Sequence, residues 1–465
     1  MSAAQAEPVS AALVHLGCAR NLIDSELILA RMAEEGCLVT NDPDGADVVV
    51  VNTCSFIGLA REESHGAIDA QLAAKREGRV RAVAVAGCLV ERYRRKLARK
   101  YPDVDLWAEI SDYRELARAV GALGRGERTP AYLEAVDGRG DEREGSRLLA
   151  TPGSYSYLRI SHGCDHQCSF CAIPIMRGKH RSKRLPAVVA EAEELIAHGA
   201  RELVIVAEDS TAWGRDLAGD APYDLADLVE GVAELDGDHR VRVMYAYPNR
   251  FPWRLTELLR DHPRVAPYLD IPVQHIATPV LRAMRRHGSG DQVRKILDRL
   301  MEEVPGLTLR TTLLMGFPGE TDADAAEAVD FVREYGLGRL GAFTYSPEED
   351  THGFDLPDRV PAEEAEARAK AVLAARDEVL AASQRQRVGE TLEILVDELH
   401  GHDDGTCTAV GRTERDAPEV DLLASAELEQ PVEIGARLTV RVAEVDEDFD
   451  LVCEPLVPEP KEAPQ

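Results

Sequence analysis

The strongest chemical pattern in the sequence is a group of three closely spaced cysteines, Cys164, Cys168 and Cys171. The apolar run Tyr157–Ile160 before them predicts a strand, which places the cysteines in the loop that follows it. Three thiolates can hold a four-iron cluster and leave one iron without a protein ligand, so that this iron could bind a substrate. Three close cysteines could also belong to a zinc site with a distant fourth ligand. The CxxxCxxC spacing after a strand favours the open iron–sulfur site.

A second group of cysteines, Cys18, Cys54 and Cys88, is dispersed along the N-terminal part of the chain. Each follows an apolar run that predicts a buried strand, and a glycine or threonine precedes each one. The ends of parallel strands meet at one edge of a sheet, where ligands bind. Small neighbours let the backbone approach a bulky ligand closely. The pattern favours a second open cluster site, although three buried structural cysteines would fit the same residues.

The elements that would position both groups form two successive alternations of strands and helices. Residues 11–123 predict an α/β domain with a parallel sheet. Residues 154–386 contain about six β/α units, as in a partial barrel whose chemistry lies at the carboxyl ends of the strands. Residues 387–456 alternate with period two and predict a small antiparallel β-barrel. Residues 124–153 are predicted to be a linker and residues 457–465 a disordered tail.

Individual elements follow from the same periodicities. Helices are predicted at Leu22–Glu35 and Ala60–Glu77, and Pro361–Arg387 is predicted to be one long solvated helix that closes the second domain. The predicted strands, besides Tyr157–Ile160, are Ala11–Leu16, Asp47–Val51, Val80–Ala86, Glu202–Ala207, Arg240–Tyr245, Tyr268–Val273, Leu307–Leu313, Arg339–Thr344, Glu390–Asp397 and Ala436–Val442.

Composition predicts a globular protein of the cytoplasm. The chain has 465 residues, 45% of them hydrophobic, and can bury two or three cores. Its N-terminus lacks the features of a signal peptide, and no apolar run approaches the roughly 20 residues that span a bilayer. In a reducing compartment nine cysteines indicate metal rather than disulfides, while Cys37, Cys407 and Cys453 stand singly and are given no function. The net charge of −29 disfavours membranes and nucleic acid backbone and suits a basic partner.

The CxxxCxxC segment resembles the motif of the radical S-adenosylmethionine superfamily, which has an aromatic residue, here Phe170, before the last cysteine. The resemblance implies a 4Fe-4S cluster whose open iron chelates the methionine portion of S-adenosylmethionine. It also implies reductive cleavage of the sulfonium to a deoxyadenosyl radical, with Phe170 near the adenine. The protein would then position the cofactor and exclude water.

Both cysteine groups together resemble the methylthiotransferases, and this resemblance covers about residues 11–455. That family combines an N-terminal three-cysteine domain, a central radical domain and a small barrel called the TRAM domain. The resemblance implies two 4Fe-4S clusters, one of them on Cys18, Cys54 and Cys88, with sulfur at its free iron. One S-adenosylmethionine would methylate this sulfur and a second would supply the radical. A reductant and a sulfur donor are implied partners.

Three more residues are assigned to cofactor binding. Glu208 ends a predicted strand, and its carboxylate could accept hydrogen bonds from the methionine ammonium; equally, Asp209 or Ser210 could simply cap the next segment. Gly316 lies in a turn that resembles the family segment lining the adenosylmethionine site. Gln274 lies in a segment, residues 269–276, that resembles the branch of the family acting on a ribosomal protein.

A basic run, Arg177–Arg184, stands close behind the CxxxCxxC loop in a strongly acidic chain. It could orient a substrate or the carboxylate of the cofactor. Because a charge run is usually a solvated face, we expect it to be one.

The substrate in this family is either an adenosine beside a tRNA anticodon or an aspartate of a small-subunit ribosomal protein, which becomes its 3-methylthio derivative. Residues 343–349 also resemble the ribosomal-protein branch. Residues 388–465 hold 21 acidic and 5 basic residues, a net charge of −16, whereas RNA-binding domains carry basic patches. We therefore expect the terminal barrel to dock a basic ribosomal protein, with RNA contact not dominant and a tRNA methylthiotransferase as the alternative. Outside the family, a two-cluster electron-transfer protein would not turn over adenosylmethionine.

Overall fold

The computed structural model describes residues 8–110, 113–135, 145–217, 223–286 and 288–456. The middle of the predicted linker and the predicted disordered tail 457–465 lie outside these residues. The chain forms two compact units: the first contains residues up to 150, 159–191 and 346–354, and the second contains 151–158, 192–345 and 355 onwards. No helix in the described ranges is long and apolar enough to cross a lipid bilayer.

The N-terminal part of the first unit is a six-stranded sheet with helices between its strands. Its order is β2-β1-β3-β4-β5-β6 with every pair parallel, so the predicted parallel α/β domain is confirmed. These labels denote β1 Ser10–His15, α1 Ala19–Glu34, β2 Leu38–Thr40, β3 Val48–Thr53, α2 Gly58–Arg76, β4 Ala82–Gly87, α3 Cys88–Tyr93, α4 Arg95–Lys100, β5 Leu106–Ala108, α5 Tyr113–Gly124 and β6 Tyr132–Leu133.

The two central strands of this sheet, β3 and β4, are buried at every position because helices cover both faces. On one face Val48 and Val50 pack with residues of α1 and α5. On the other, Val49 and Val51 pack with Ile68 of α2. The uninterrupted apolar runs of the sequence are thus the signature of strands covered on both sides.

The middle of the chain forms a second sheet, in the order β14-β13-β12-β11-β10-β7. The pairs from β10 to β14 are parallel, and the predicted six-stranded partial barrel is confirmed. Its elements and their neighbours are β7 Tyr155–Arg159, β8 Ser161–His162, α6 Ile173–Arg177, β9 Arg181–Ser182, α7 Leu185–Ala197, β10 Glu202–Val206, α8 Leu225–Ala233, β11 Arg240–Val243, α9 Arg254–Asp261, β12 Val265–Asp270, α10 Thr278–Ala283, α11 Gly290–Glu303, β13 Thr308–Met315, α12 Asp322–Glu334, β14 Arg339–Thr344 and α13 Ala362–Arg385. Short 3-10 helices lie at Ser210–Ala212 and His352–Asp355.

The long helix α13 differs from the prediction that it is solvated. Ala365, Ala369, Val372, Ala375 and Leu380 are buried, because one face of the helix packs against α12 and β14. Alanine-rich faces give a weak apolar signal, and so the prediction was wrong for this face.

The C-terminal residues form a closed five-stranded barrel, ordered β15-β16-β17-β19-β18. Its strands are β15 Thr391–Gly401, β16 Cys407–Arg412, β17 Ala424–Leu428, β18 Arg437–Val445 and β19 Leu451–Pro455. The predicted small barrel is confirmed with one difference: β17 and β19 pair in parallel, while the other neighbours are antiparallel as expected.

A polar junction joins this barrel to the amino ends of the central strands within the second unit. Glu202, the first residue of β10, is fully buried and accepts hydrogen bonds from Arg240 (2.5 Å), Arg242 (2.6 Å) and, from the barrel, Arg412 (3.3 Å). Arg412 also binds both carboxylate oxygens of Asp397, at 2.6 and 3.1 Å. The barrel therefore covers the end of the sheet opposite to the carboxyl ends, where chemistry is placed in β/α barrels.

The loop between β16 and β17 adds further bonds to this junction. Glu419 accepts hydrogen bonds from the hydroxyls of Tyr155 and Tyr157, both at 2.9 Å. Asp421 accepts one from Tyr268 at 2.6 Å, and Asp416 pairs with Arg339 at 2.5 Å. The central domain thus supplies hydrogen bonds to Glu419 and Asp421 and a positive charge to Asp416.

Candidate functional site

The clustered triad, Cys164, Cys168 and Cys171, lies in a loop of the first unit with its three side chains partly exposed. The N–H of Cys164 donates to the carbonyl of Gly178 (3.1 Å), and the N–H of Cys171 donates to the carbonyl of Cys168 (3.1 Å). The N–H of Ile173 points at the Cys171 sulfur from 3.5 Å. Backbone hydrogen bonds thus help to fix the conformation of this loop.

Gly163 lets this loop lie close to the basic run. It has φ +70°, and a Cβ there would lie 2.2 Å from the carbonyl oxygen of Lys179. Any other residue would push the two segments apart, since the obstructing atoms belong to the backbone.

The dispersed triad, Cys18, Cys54 and Cys88, lies at the carboxyl edge of the N-terminal sheet, just after β1, β3 and β4. A Cβ on Gly17 would lie 2.9 Å from the Cys54 sulfur, so glycine is needed for the first two loops to approach. Gly87 has φ +97°, and a Cβ there would meet the Thr53 carbonyl at 2.6 Å. The structure brings together the three loops that carry these cysteines.

Electrostatic interactions link the three thiols of the dispersed triad. Burial raises the pKa of Cys88 to about 11, with further contributions from the charges of Cys18 and Cys54, and burial also raises the pKa of Cys54. Burial acts to raise the pKa of Cys18 too, but Arg20 and Arg177 outweigh it and bring the pKa below its usual value. Two guanidinium groups therefore favour the thiolate form of Cys18.

Asn21 ties the loops of the dispersed triad together. Its Nδ2 donates to the carbonyl oxygens of Leu16 (2.6 Å) and Thr53 (3.4 Å), which precede the first two cysteines. Its Oδ1 accepts from Arg177 at 3.3 Å. One amide thus connects two strand ends and a guanidinium.

Asp24 holds that guanidinium in place. This buried carboxylate accepts hydrogen bonds from Arg177 at 2.5 Å and from Arg159 at 2.7 Å. Met176, next to Arg177, packs in an apolar cluster with Cys88. The helix that follows the clustered triad is therefore anchored beside the dispersed triad.

Only half of the basic run is the solvated face that we expected. Arg177, His180 and Lys183 are buried, and Lys183 pairs with the buried Glu191 at 2.9 Å. Lys179, Arg181 and Arg184 are exposed. For Arg177 the prediction failed because its partner Asp24 lies far away in the sequence.

Asn21 and Asp24 belong to this site but were not among the residues predicted from the sequence. A signal was present, because both lie with Ser25 on the buried face of α1, where a helix of this kind normally carries apolar residues. Polar residues on such a face need partners, which makes them candidates for a polar site.

Glu208 lies just beyond β10, in the second unit. Its Oε2 is buried and has no hydrogen-bond partner among the described residues. The neighbouring Asp209 makes no capping bond to the 3-10 helix that it precedes, but accepts a hydrogen bond from Thr211 at 2.6 Å. The structure thus leaves one buried carboxylate oxygen of Glu208 open to a donor.

Gly316 occupies the predicted turn between β13 and α12. It has φ +78°, and a Cβ would lie 2.2 Å from that of Ala365. Its N–H donates to Glu320 at 2.7 Å, so this group is already used within the chain.

Gln274 adopts φ +72°, and its backbone joins β13 through bonds to Thr312 (2.8 Å) and Leu314 (2.7 Å). Only its side chain is left to contact a ligand. Phe170 lies between two cysteines of the clustered triad and is partly exposed.

No three His, Cys, Asp or Glu side chains in the described part of the chain are arranged to hold one metal ion. In a four-iron cluster each cysteine binds a different iron, which separates the ligands more widely than a single ion does.

Three family models match the chain in succession. Residues 10–109 match the uncharacterized protein family UPF0004, residues 158–332 the radical SAM superfamily, and residues 388–456 the TRAM domain.

Curated relatives match over nearly the whole chain. The ribosomal protein uS12 methylthiotransferase RimO of Trichlorobacter lovleyi is 38% identical over 446 residues, which cover 95% of this chain and 97% of that protein. The protein of the same name from Sorangium cellulosum is 40% identical and covers 95% of this chain and 90% of its own length.

Solved structures share the fold at low identity. The radical S-adenosylmethionine methyltransferase TsrM from Kitasatospora setae has a TM-score of 0.51 and 15% identity, covering 72% of this chain and 73% of its own. The cobalamin-dependent radical enzyme OxsB also has a TM-score of 0.51, with 13% identity, covering 80% of this chain and 56% of its own.

Proposed function

Since this chain belongs to the family of ribosomal protein uS12 methylthiotransferases, we propose that it replaces a hydrogen on carbon 3 of a uS12 aspartate by a methylthio group. The observation that carries the proposal is the match of 35–40% identity over the length of the curated relatives, with three domain models in the same chain.

The two cysteine triads are the proposed ligands of two 4Fe-4S clusters. The donor sets fit, because each triad supplies three thiols and would leave one iron open. The backbone N–H groups of Asn21 and Phe56 also act to lower the pKa of the Cys18 and Cys54 thiols, respectively. When bound, the clusters and S-adenosylmethionine would supply the radical, the sulfur and the methyl group.

Four residues are proposed to bind S-adenosylmethionine. The open Oε2 of Glu208 supports a hydrogen bond from the methionine ammonium, since an ammonium carries three donors and no acceptor. We propose that Gly316 shapes the binding site and does not donate a hydrogen bond to the cofactor, because its N–H is already bonded to Glu320. Phe170 would contact the adenine, and Gln274 would contribute its side chain.

The test is anaerobic incubation of the reconstituted enzyme with S-adenosylmethionine, sulfide, a reductant and either uS12 or tRNA, followed by mass spectrometry of both. We expect a methylthio mass gain on an aspartate of uS12. A gain on tRNA adenosine instead would overturn the assignment of the substrate, and deoxyadenosine without either product would leave only radical chemistry.

The acidic barrel is proposed to dock uS12 through complementary charge. Glu429, Glu433 and Glu447 are exposed, while Arg412, one of the few basic residues of the barrel, is buried in the polar junction. Deleting the barrel is a poor test of docking. It would leave buried arginines of the central domain, such as Arg339, without their carboxylate partners.

We expect the triple variant Glu429→Gln, Glu433→Gln and Glu447→Gln to raise KM for uS12, on the order of tenfold at low salt, because steering by charge is lost. The difference should shrink at high salt, where screening removes the same attraction. Steady-state kinetics at two ionic strengths measure it.

The matched control neutralises three exposed glutamates outside the barrel, Glu302, Glu363 and Glu366. An equal rise in KM for both triple variants would show that net charge, and not the barrel, governs docking.

A further inference from the structure

The segment Ser346–Phe354 lies between β14 and α13 and belongs to the first unit. Its Glu348 has an exposed fraction of only 1%. The carboxylate accepts hydrogen bonds from Arg61 and from Arg92 (2.7 Å), and Oε1 accepts one from the hydroxyl of Ser346 (2.7 Å). A buried carboxylate is tolerated only when such partners are in place, so the position of this segment is closely specified.

Arg92 connects Glu348 to the dispersed triad. It lies in α3, the helix that begins at Cys88, and its side chain is fully buried. Besides Glu348 it binds the carbonyl oxygens of Ser55, directly after Cys54, and of Glu349, both at 3.0 Å. One planar guanidinium thus joins the segment to the loops of two cysteines.

The other end of the segment is bonded to the clustered triad. The N–H of Gly353 donates to the carbonyl oxygen of Ser169 at 2.5 Å, and Ser169 lies between Cys168 and Cys171. Gly353 lies five positions after Glu348, and a chain of five residues spans at most about 18 Å. The 3-10 turn at its end shortens the segment further.

We propose that Ser346–Phe354 is a positioning brace that fixes the spacing between the two triads, with Glu348 and Arg92 as its anchor on the dispersed triad. The inference rests on the proposed function, in which sulfur held at one triad must meet a substrate radical made at the other. Such steps are sensitive to geometry: a displacement of about 1 Å can cost on the order of 100-fold in rate.

The test compares Glu348→Gln with wild type for three quantities: iron content, deoxyadenosine formed and methylthio-uS12 formed. The variant should keep its iron and form deoxyadenosine within about twofold of wild type, whereas methylthio product falls roughly 10- to 100-fold. The ratio of deoxyadenosine to product therefore rises. Glu349→Gln is the matched control, because that side chain is exposed and only its backbone carbonyl is used.

A second variant, Arg92→Lys, keeps the charge beside Glu348 but cannot bind the carboxylate and both carbonyls with one planar fork. It should raise the same ratio even if Glu348→Gln fails to fold. Electron paramagnetic resonance of the doubly reduced protein supplies a readout independent of turnover, since the magnetic interaction between two clusters depends on their separation.

If the ratio of deoxyadenosine to product and the magnetic interaction are both unchanged in the folded variants, the proposal that this segment is a brace is wrong. If wild type forms no methylthio product on uS12, the proposed function fails instead, and the magnetic interaction alone decides whether the segment fixes the spacing.

Discussion

Replacing Cys54 by alanine is expected to abolish methylthio transfer to uS12 while deoxyadenosine formation continues. The reason is that the dispersed triad would lose one of three thiols, whereas the clustered triad, in a separate loop, keeps all of its own. Iron content should fall by about half, since a four-iron cluster needs these ligands. Iron analysis, deoxyadenosine quantification and mass spectrometry of uS12 measure the three effects on one sample.

The matched control is Cys37→Ala. Cys37 is a buried cysteine of the same domain, packed in the apolar core of the sheet. We expect full iron content and normal product, with a small loss of stability from the deleted sulfur. Methylthio product from Cys54→Ala would mean that the dispersed triad does not hold the sulfur-donating cluster, and the protein would then be a simpler radical enzyme.

The second large effect concerns stability. Glu202→Gln should lower the free energy of unfolding of the second unit by about 3–5 kcal/mol, because it leaves buried arginines without their common carboxylate. Arg242 and Arg412 have side chains exposed by 0% and 1%, so water cannot take the place of the carboxylate. Denaturant unfolding followed by circular dichroism measures the change.

The Glu202 carboxylate should also make the stability of the protein depend on pH. Burial alone would raise the pKa of Glu202, but Arg240, Arg242 and Arg412 outweigh it and hold the pKa well below the usual value. A carboxyl with a depressed pKa contributes its full stabilisation above its unfolded pKa of about 4.3 and loses it as the pH falls towards the folded value. Wild type should therefore lose stability below about pH 4 more steeply than Glu202→Gln.

Glu257→Gln serves as the control for both measurements, because Glu257 is an exposed residue of α9 in the same unit. Its expected effect is within about 0.5 kcal/mol. If Glu202→Gln behaved like this control, the junction between barrel and sheet would contribute no net stability.

The order of the domains and the type of each follow from local patterns along the chain. Apolar runs such as Val48–Val51 predict strands covered on both faces, and the period-two alternation of Glu390–Asp397 predicts a small barrel. These signals are local, because they depend on the spacing of apolar residues along one element. The positions of Cys18, Cys54 and Cys88 directly after strands could also be read from the sequence, since parallel strands end at one edge.

The pairing of buried charges, in contrast, depends on contacts between segments that are distant in the chain. Arg177 is hydrogen-bonded to Asp24, and Arg92 is hydrogen-bonded to Glu348. No local sequence pattern predicts either pair. A run of basic residues has the same sequence pattern whether it is solvated or paired with carboxylates far away in the chain. The sequence pattern consequently predicted a solvated run at Arg177–Arg184 and no role for Glu348, although Arg177 and Glu348 are buried.

The physical reason is that burial of charge is a property of three-dimensional partners. Taking a single charge out of water is prohibitive, and it becomes acceptable only when opposite charges and hydrogen-bond donors surround it. Those partners here come from segments far apart in sequence, as with Glu202 and Arg412. The sequence therefore specified which chemistry the cysteines could perform, and the fold decided which side chains hold them in place.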